Sequence, residues 1–184
     1  TYDINQTLTG LKNGVYRVGV TAFYRAGWAD LDAEAYTKFL DGDNSSQHAK
    51  LYANTTAVAG LTTNLPLMSS GASETSLTTD ELQNTHGYVP NAMKSAAFYM
   101  ENGQYTPTTL LTIVNDGTLT IGLKKDTNID GNWTIFDNWT LHYLGDSDEA
   151  YSYMKEDYLS TSVDYVGFID ETGAYYQKSV YDTY

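Results

Sequence analysis

The chain has 184 residues, enough for one domain with a full core and too few to demand two. Ten Lys and Arg stand against 23 Asp and Glu, a formal charge of −13 that opposes approach to nucleic-acid phosphates and to anionic lipid. Cysteine is absent, which removes disulfides, thiolate metal sites and a thiol nucleophile, and no apolar run nears the roughly 18 residues of a membrane span.

Seventeen tyrosines and three tryptophans beside only three prolines favour strands joined by polar turns. The first turn is Gly10-Leu11-Lys12-Asn13-Gly14, and residues 15–24 follow as a half-buried strand. Tyr16, Val18, Val20, Ala22 and Tyr24 lie on its core face, with Arg17, Gly19, Thr21 and Phe23 on the other. Leu31, Ala35 and Phe39 recur at helical spacing with Glu34 and Lys38 as an i,i+4 pair, so 29–43 reads as a short helical insertion closed by Gly42. Short strands are expected at 50–53 and 65–68, a long polar loop at 69–85, and one or two helical turns over 91–101. Residues 109–114 and 118–124 flank Asn115-Asp116-Gly117, a hairpin signal.

Residues 132–144 alternate as a strand must, and the alternation puts Ile135, Asp137, Trp139, Leu141 and Tyr143 on one face. Asp137 is then a carboxylate in a core register, which requires a partner charge, backbone donors or a metal. Beyond it, Gly145-Asp146-Ser147-Asp148-Glu149 breaks the pattern, with Ser147 or Asp148 placed to cap a helix over 149–159. Residues 165–169 and 174–181, around Asp170-Glu171-Thr172-Gly173, read as a closing hairpin.

Several segments together carry a family resemblance: Asp3-Ile4-Asn5-Gln6-Thr7-Leu8-Thr9-Gly10-Leu11, Gly14-Val15-Tyr16-Arg17-Val18, Ala22-Phe23-Tyr24-Arg25-Ala26-Gly27, Tyr88-Val89-Pro90-Asn91-Ala92-Met93, and residues 117–125 and 133–144. Over about residues 3–145 the chain resembles the galactose-binding-like jelly-roll domains of secreted and cell-surface Bacteroidetes proteins. The resemblance implies a β-sandwich of the carbohydrate-binding-module type, in which a late-strand Asp often serves a structural calcium site. Such domains usually carry a strand before the Asp-Ile-x-Gln-Thr-Leu-Thr-Gly segment, and this sequence begins almost at that segment. The tail after Gly145 lies outside the pattern.

Two constellations carry possible chemistry. Asp126-Thr127-Asn128-Ile129-Asp130-Gly131-Asn132 fits the opening of a calcium loop, and Asp137 falls at its twelfth position, giving Asp126, Asn128, Asp130 and Asp137 as a ligand set. The flanking segments read as strands, unlike those of an EF-hand, so the same residues also suit a polar hairpin connection. The second set is aromatic and polar: Tyr24, Arg25, Trp28, Tyr88, Asn91 and Trp133 offer ring faces for sugar C–H surfaces and fixed groups for hydroxyls. Against this, Tyr24 is in phase with the core and Trp133 suits a core cap, while Trp28 and Tyr88 suit ligand contact and sandwich cover equally. His48, His86 and His142 fit no metal spacing, and no nucleophile motif or phosphate-cradling glycine loop occurs.

The sequence is therefore read as a mainly β jelly-roll sandwich over residues 1–145 with short helical insertions, followed by a helix-plus-hairpin extension over 146–184. The expected function is noncatalytic carbohydrate binding within a larger secreted or cell-surface polysaccharide-handling protein, with a glycan ligand, calcium as structural cofactor and neighbouring domains as partners. The alternative is a structural or protein-interaction spacer that binds no glycan. The start Thr1-Tyr2-Asp3-Ile4 lacks the basic and apolar regions of a signal peptide, so a mature, trimmed or excised chain is expected. The tail hairpin is expected to dock beside the strand that begins near Tyr2, in place of the missing leading strand.

Overall fold

The structure is a computed structural model and describes residues 1–27, 34–35, 37–38, 41–58, 60–67, 93–101, 103, 105–160, 167–169 and 175–177. The chain is mainly β, with two antiparallel sheets and few helices, in a β-sandwich-like arrangement. Strands β1 (Tyr2–Leu8), β3 (Ala49–Asn54), β4 (Leu61–Asn64) and β6 (Leu119–Lys125) make one sheet in the order β1-β6-β3-β4. Strands β2 (Gly14–Arg25), β5 (Thr108–Val114) and β7 (Trp133–Gly145) make the other, in the order β5-β2-β7.

Both links around β6 differ from the sequence reading. Asn115-Asp116-Gly117 is not a hairpin turn, because β5 pairs with β2 whereas β6 pairs with β1 and β3. The three residues cross from one sheet to the other, and Gly117, at φ 74°, gives its carbonyl to the Leu11 amide on the neighbouring β1–β2 crossing. An Asp-Gly step supplies the positive φ of a tight turn; it does not say which strand the chain meets next. Residues 126–132 are likewise a crossing, from β6 to β7. The strand expected at 65–68 begins and ends earlier, at Leu61–Asn64. Leu65 then donates to Ala49 O, and Pro66 O accepts the Tyr24 amide of the other sheet.

Strand β2 is buried on both faces. Tyr16, Val18, Val20, Ala22 and Tyr24 point to the first sheet, where the Tyr24 ring meets His48 edge-on. On the other face, expected to be half-exposed, Phe23 is fully buried, stacked on Tyr105 at 5.1 Å and met edge-on by Trp133. Leu111 and Ile113 of β5 lie on this second face opposite Arg17 and Val15 and are buried too. Helix α2 (Asp148–Ser160) packs there with Ala150 and Met154 buried. Its start follows the capping rule: Ser147 Oγ accepts the Ala150 amide, and Asp148 and Glu149 sit in the first turn. Helix α1 (Met93–Glu101) matches the helical turns expected over 91–101, and residues 34–35 and 37–38 of the expected insertion are helical, with Glu34 and Lys38 paired at 2.8 Å.

Strands β8 (Gly167–Ile169) and β9 (Tyr175–Gln177) form the closing hairpin, a sheet of their own. Among the described residues β8 pairs with β9, and β1 pairs only with β6; most of the tail expected to dock beside β1 lies outside the described residues. The edge strand β1 is held from within its sheet. Tyr52 reaches over Gly122 to donate to Asp3 Oδ1 at 2.7 Å, and a Cβ on Gly122 would meet the Tyr52 ring at 2.7 Å and Ile4 O at 2.6 Å. Burial and the Asp3 carboxylate together push the Tyr52 hydroxyl up to about 12.

Candidate functional site

Strand β7 follows the expected alternation only to its middle. Ile135 lies opposite Phe23 and Asp137 opposite Thr21, but Thr140 lies opposite Gly19, so β7 holds one more residue than β2 across this step. Asn138, at φ 53°, is the bulged residue and the one non-glycine with positive φ among the described residues. One extra residue exchanges the faces. Leu141 and Tyr143 point with Val18 and Tyr16 toward the first sheet, whereas Ile135 and Asp137 point with Phe23 and Thr21 to the outer face. Asp137 is therefore exposed and not the core carboxylate its register implied; its Oδ1 accepts the Asn138 amide at 2.7 Å. Trp139, placed by the pattern in the core, is 37% exposed.

The four side chains proposed for calcium all lie exposed: Asp126, Asn128 and Asp130 on the crossing, and Asp137 at the bulge. Gly131, at φ 73°, makes the sharp turn the loop pattern calls for. Among the described residues no group of three or more His, Asp or Glu side chains gathers. Two cations tie the end of this crossing to the sandwich. Arg25 Nη2 donates to Gly131 O at 2.7 Å, and the buried Lys125 ammonium donates to Asn132 Oδ1. Burial holds Lys125 below the usual lysine range, and burial together with the Lys125 charge lowers His48.

Of the aromatic and polar set, the structure brings Arg25 and Trp133 together and separates Tyr24 from them in role. The Arg25 guanidinium lies 4.5 Å from the centre of the Trp133 ring, a cation–π contact, so that ring face is occupied from within the protein. Trp133 also packs edge-on against Phe23, and its Nε1 is buried with no hydrogen-bond partner among the described residues. Tyr24 is fully buried and offers no face to a ligand. Trp28, Tyr88 and Asn91 lie outside the described residues.

A groove of about 420 Å³ opens where β4 of one sheet adjoins β5 of the other, and none of its residues was singled out by the sequence. Asn44 and Gln47 line it from the approach to β3, Thr63 and Asn64 from the end of β4, and Thr106 and Thr108 from the entry to β5. Pro66 and Pro107 complete the wall. The Gln47 amide is fixed by its bond to Leu65 O at 2.9 Å, and the Gln47 backbone amide donates to Asn44 O. Every lining side chain is uncharged, although the chain carries a formal −13. Such a surface can exchange hydrogen bonds with hydroxyls while offering no counter-charge to an ionic ligand. Its only signal in the sequence was the recurrence of Asn, Gln and Thr beside Pro at strand ends, a pattern shared with any turn.

No protein-family model, curated protein or solved structure matches the chain.

Proposed function

We propose that the chain is a noncatalytic carbohydrate-binding module and that the β4–β5 groove receives a neutral glycan. The observation that carries this reading is the groove itself: amides and hydroxyls from three separate segments converge on one concave surface without a charge among them. Sugar hydroxyls act as both donors and acceptors, as do amide and threonine side chains, and proline rings present apolar surface to sugar C–H groups. In the same reading the sandwich is a jelly roll of the galactose-binding type, supported by four strands facing three and by a chain that, from β1 to β7, changes sheet at every link except β3–β4. The module belongs to a larger secreted or cell-surface protein, with neighbouring domains as its other partners. Glycan-array screening followed by calorimetry tests the assignment: Asn64→Ala should weaken binding of the selected glycan about tenfold by removing a groove hydrogen-bonding group. Unchanged affinity in Asn64→Ala moves the site elsewhere. Failure of the unsubstituted chain to bind any glycan favours a spacer that docks on neighbouring domains.

Calcium on the 126–132 crossing is a separate proposal. Asp126, Asn128 and Asp130 supply the oxygens, and an ion held only by the folded chain raises its unfolding midpoint. Asp130→Ala should remove the increment. An unchanged midpoint after chelation, with no ion found by elemental analysis, overturns it.

A further inference from the structure

The groove has a floor and a rim. Gln47 is 9% exposed, while the rest of the lining is half-buried or exposed. The Gln47 side chain is held by a backbone segment that joins the two sheets: the Leu65 amide donates to Ala49 O of the first sheet at 2.9 Å, and Pro66 O accepts the Tyr24 amide of the second at 2.8 Å. Gln47 Nε2 donates to Leu65 O, within that segment, at 2.9 Å. A peptide carbonyl only accepts, so the half of the carboxamide that meets Leu65 O is the NH2 group. Oε1 then occupies the other branch of the carboxamide. It makes no hydrogen bond among the described residues, and although the residue is buried this atom is not sealed from solvent. Gln47 Oε1 is thus an acceptor open at the groove floor that cannot exchange places with its own NH2 group.

Bracing Leu65 accounts for Nε2 and leaves Oε1 unexplained. The threonine hydroxyls of the rim serve as donor or acceptor by rotation, so they tolerate most polar groups on a ligand. A pinned carbonyl does not. A ligand that reaches the floor displaces solvent from Oε1, and it must supply a donor or leave a desolvated acceptor unpaired. We propose that Gln47 is the specificity-determining residue of the groove: Oε1 takes a hydrogen bond from one free hydroxyl or acetamido N–H of the glycan. The same position is rejected when it is O-alkylated, O-acylated or O-sulfated or carries a carboxylate, since each of these presents acceptors only. The proposal rests on the groove reading and adds to it the chemical feature of the sugar that the groove selects.

The test titrates the whole chain with the methyl glycosides of glucose, galactose, mannose and N-acetylglucosamine, at up to about 100 mM to reach affinities weaker than millimolar. Derivatives in which each donor in turn is removed or methylated complete the set. For a parent sugar that binds, one position should stand out, its loss weakening binding about tenfold or more. In Gln47→Met, which keeps the length of the side chain but replaces the carbonyl with a weak sulfur acceptor, the penalty at that position should fall to within about twofold while those at other positions persist. Because Gln47→Met also leaves Leu65 O unpaired, a second readout needs no substitution. The Gln47 side-chain carbonyl carbon, labelled for NMR, should move with occupancy by the parent sugar and stay in place at equal occupancy by the derivative lacking the coupled donor. A full penalty retained in Gln47→Met, or a Gln47 carbonyl resonance unmoved at saturation, overturns the inference. If Asn64→Ala weakens the parent sugar in that case, the groove stands and only this acceptor is removed. Absence of binding by every sugar, or binding indifferent to both substitutions, removes the groove reading and the acceptor with it.

Discussion

Strands β2 and β7 lie side by side, are nearly equal in length at 12 and 13 residues, and come from segments that alternate equally well, yet they end in opposite environments. The central strand β2 is covered on both faces. The edge strand β7 has a partner on one side only, switches face at Asn138, and turns Asp137 and Trp139 to solvent. Alternation therefore identifies a strand but not how many neighbours it has, and neighbours decide whether an aromatic residue serves stability or remains available to a ligand.

The largest effect expected from this contrast is on the β2 side. Phe23→Ala should destabilise the fold by about 3–5 kcal/mol in chemical denaturation, because it empties a site enclosed by Tyr105 and Trp133. Trp139→Ala on β7 should cost less than about 1 kcal/mol, as for an exposed position away from the core. Equal losses in the two variants would show that the two strands are not energetically different.

A smaller effect comes from the bulge. Asn138→Val places a β-branched residue at φ 53° and should destabilise by about 1–2 kcal/mol, whereas Asn138→Gly should be close to neutral. Denaturation midpoints that do not separate these variants would mean that positive φ at position 138 is not required.

The smallest concerns the interior end of the sandwich. His48 has a folded pKa below its ordinary value, so below about pH 6.5 the unfolded chain binds more protons than the folded one. The stabilising difference is complete above the unfolded value and is lost as the pH falls through the folded one. His48→Gln should flatten the decline in stability between about pH 7 and 5, measured against the unsubstituted chain. A steeper decline in the variant would contradict the sign of this assignment.

Much of the architecture was legible from local chemistry. The Val15-to-Tyr24 alternation, the Ser147 cap with its acidic first turn, the Glu34–Lys38 pair and the tail hairpin all correspond to elements set by neighbours in sequence. What was not legible depended on distant partners. Asp116-Gly117 marks a turn equally well when the chain enters a hairpin or crosses to another sheet, and only the pairing of β5 with β2 decides between them. The outer face of β2 carries Arg17, Gly19, Thr21 and Phe23, a mixed pattern that reads as half-exposed, yet its cover comes from Tyr105, Trp133 and helix α2, all far along the chain. A one-residue bulge at Asn138 leaves the hydrophobic pattern nearly unchanged while moving Asp137 out of the core register. Of the proposed glycan residues, Arg25 and Trp133 do meet, but they engage each other; the groove is built instead from residues as ordinary in sequence as Thr63, Asn64 and Thr106.

The central claim is that a neutral glycan binds this module without being transformed, and calorimetric titration of the intact chain with array-selected neutral oligosaccharides tests it most directly. The account predicts saturable heat with one or more neutral sugars, little dependence on ionic strength because the groove holds no charge, and recovery of the sugar unaltered. Absence of saturable binding at about 10 mM for every sugar tested, or binding confined to acidic glycans and abolished by salt, would contradict it.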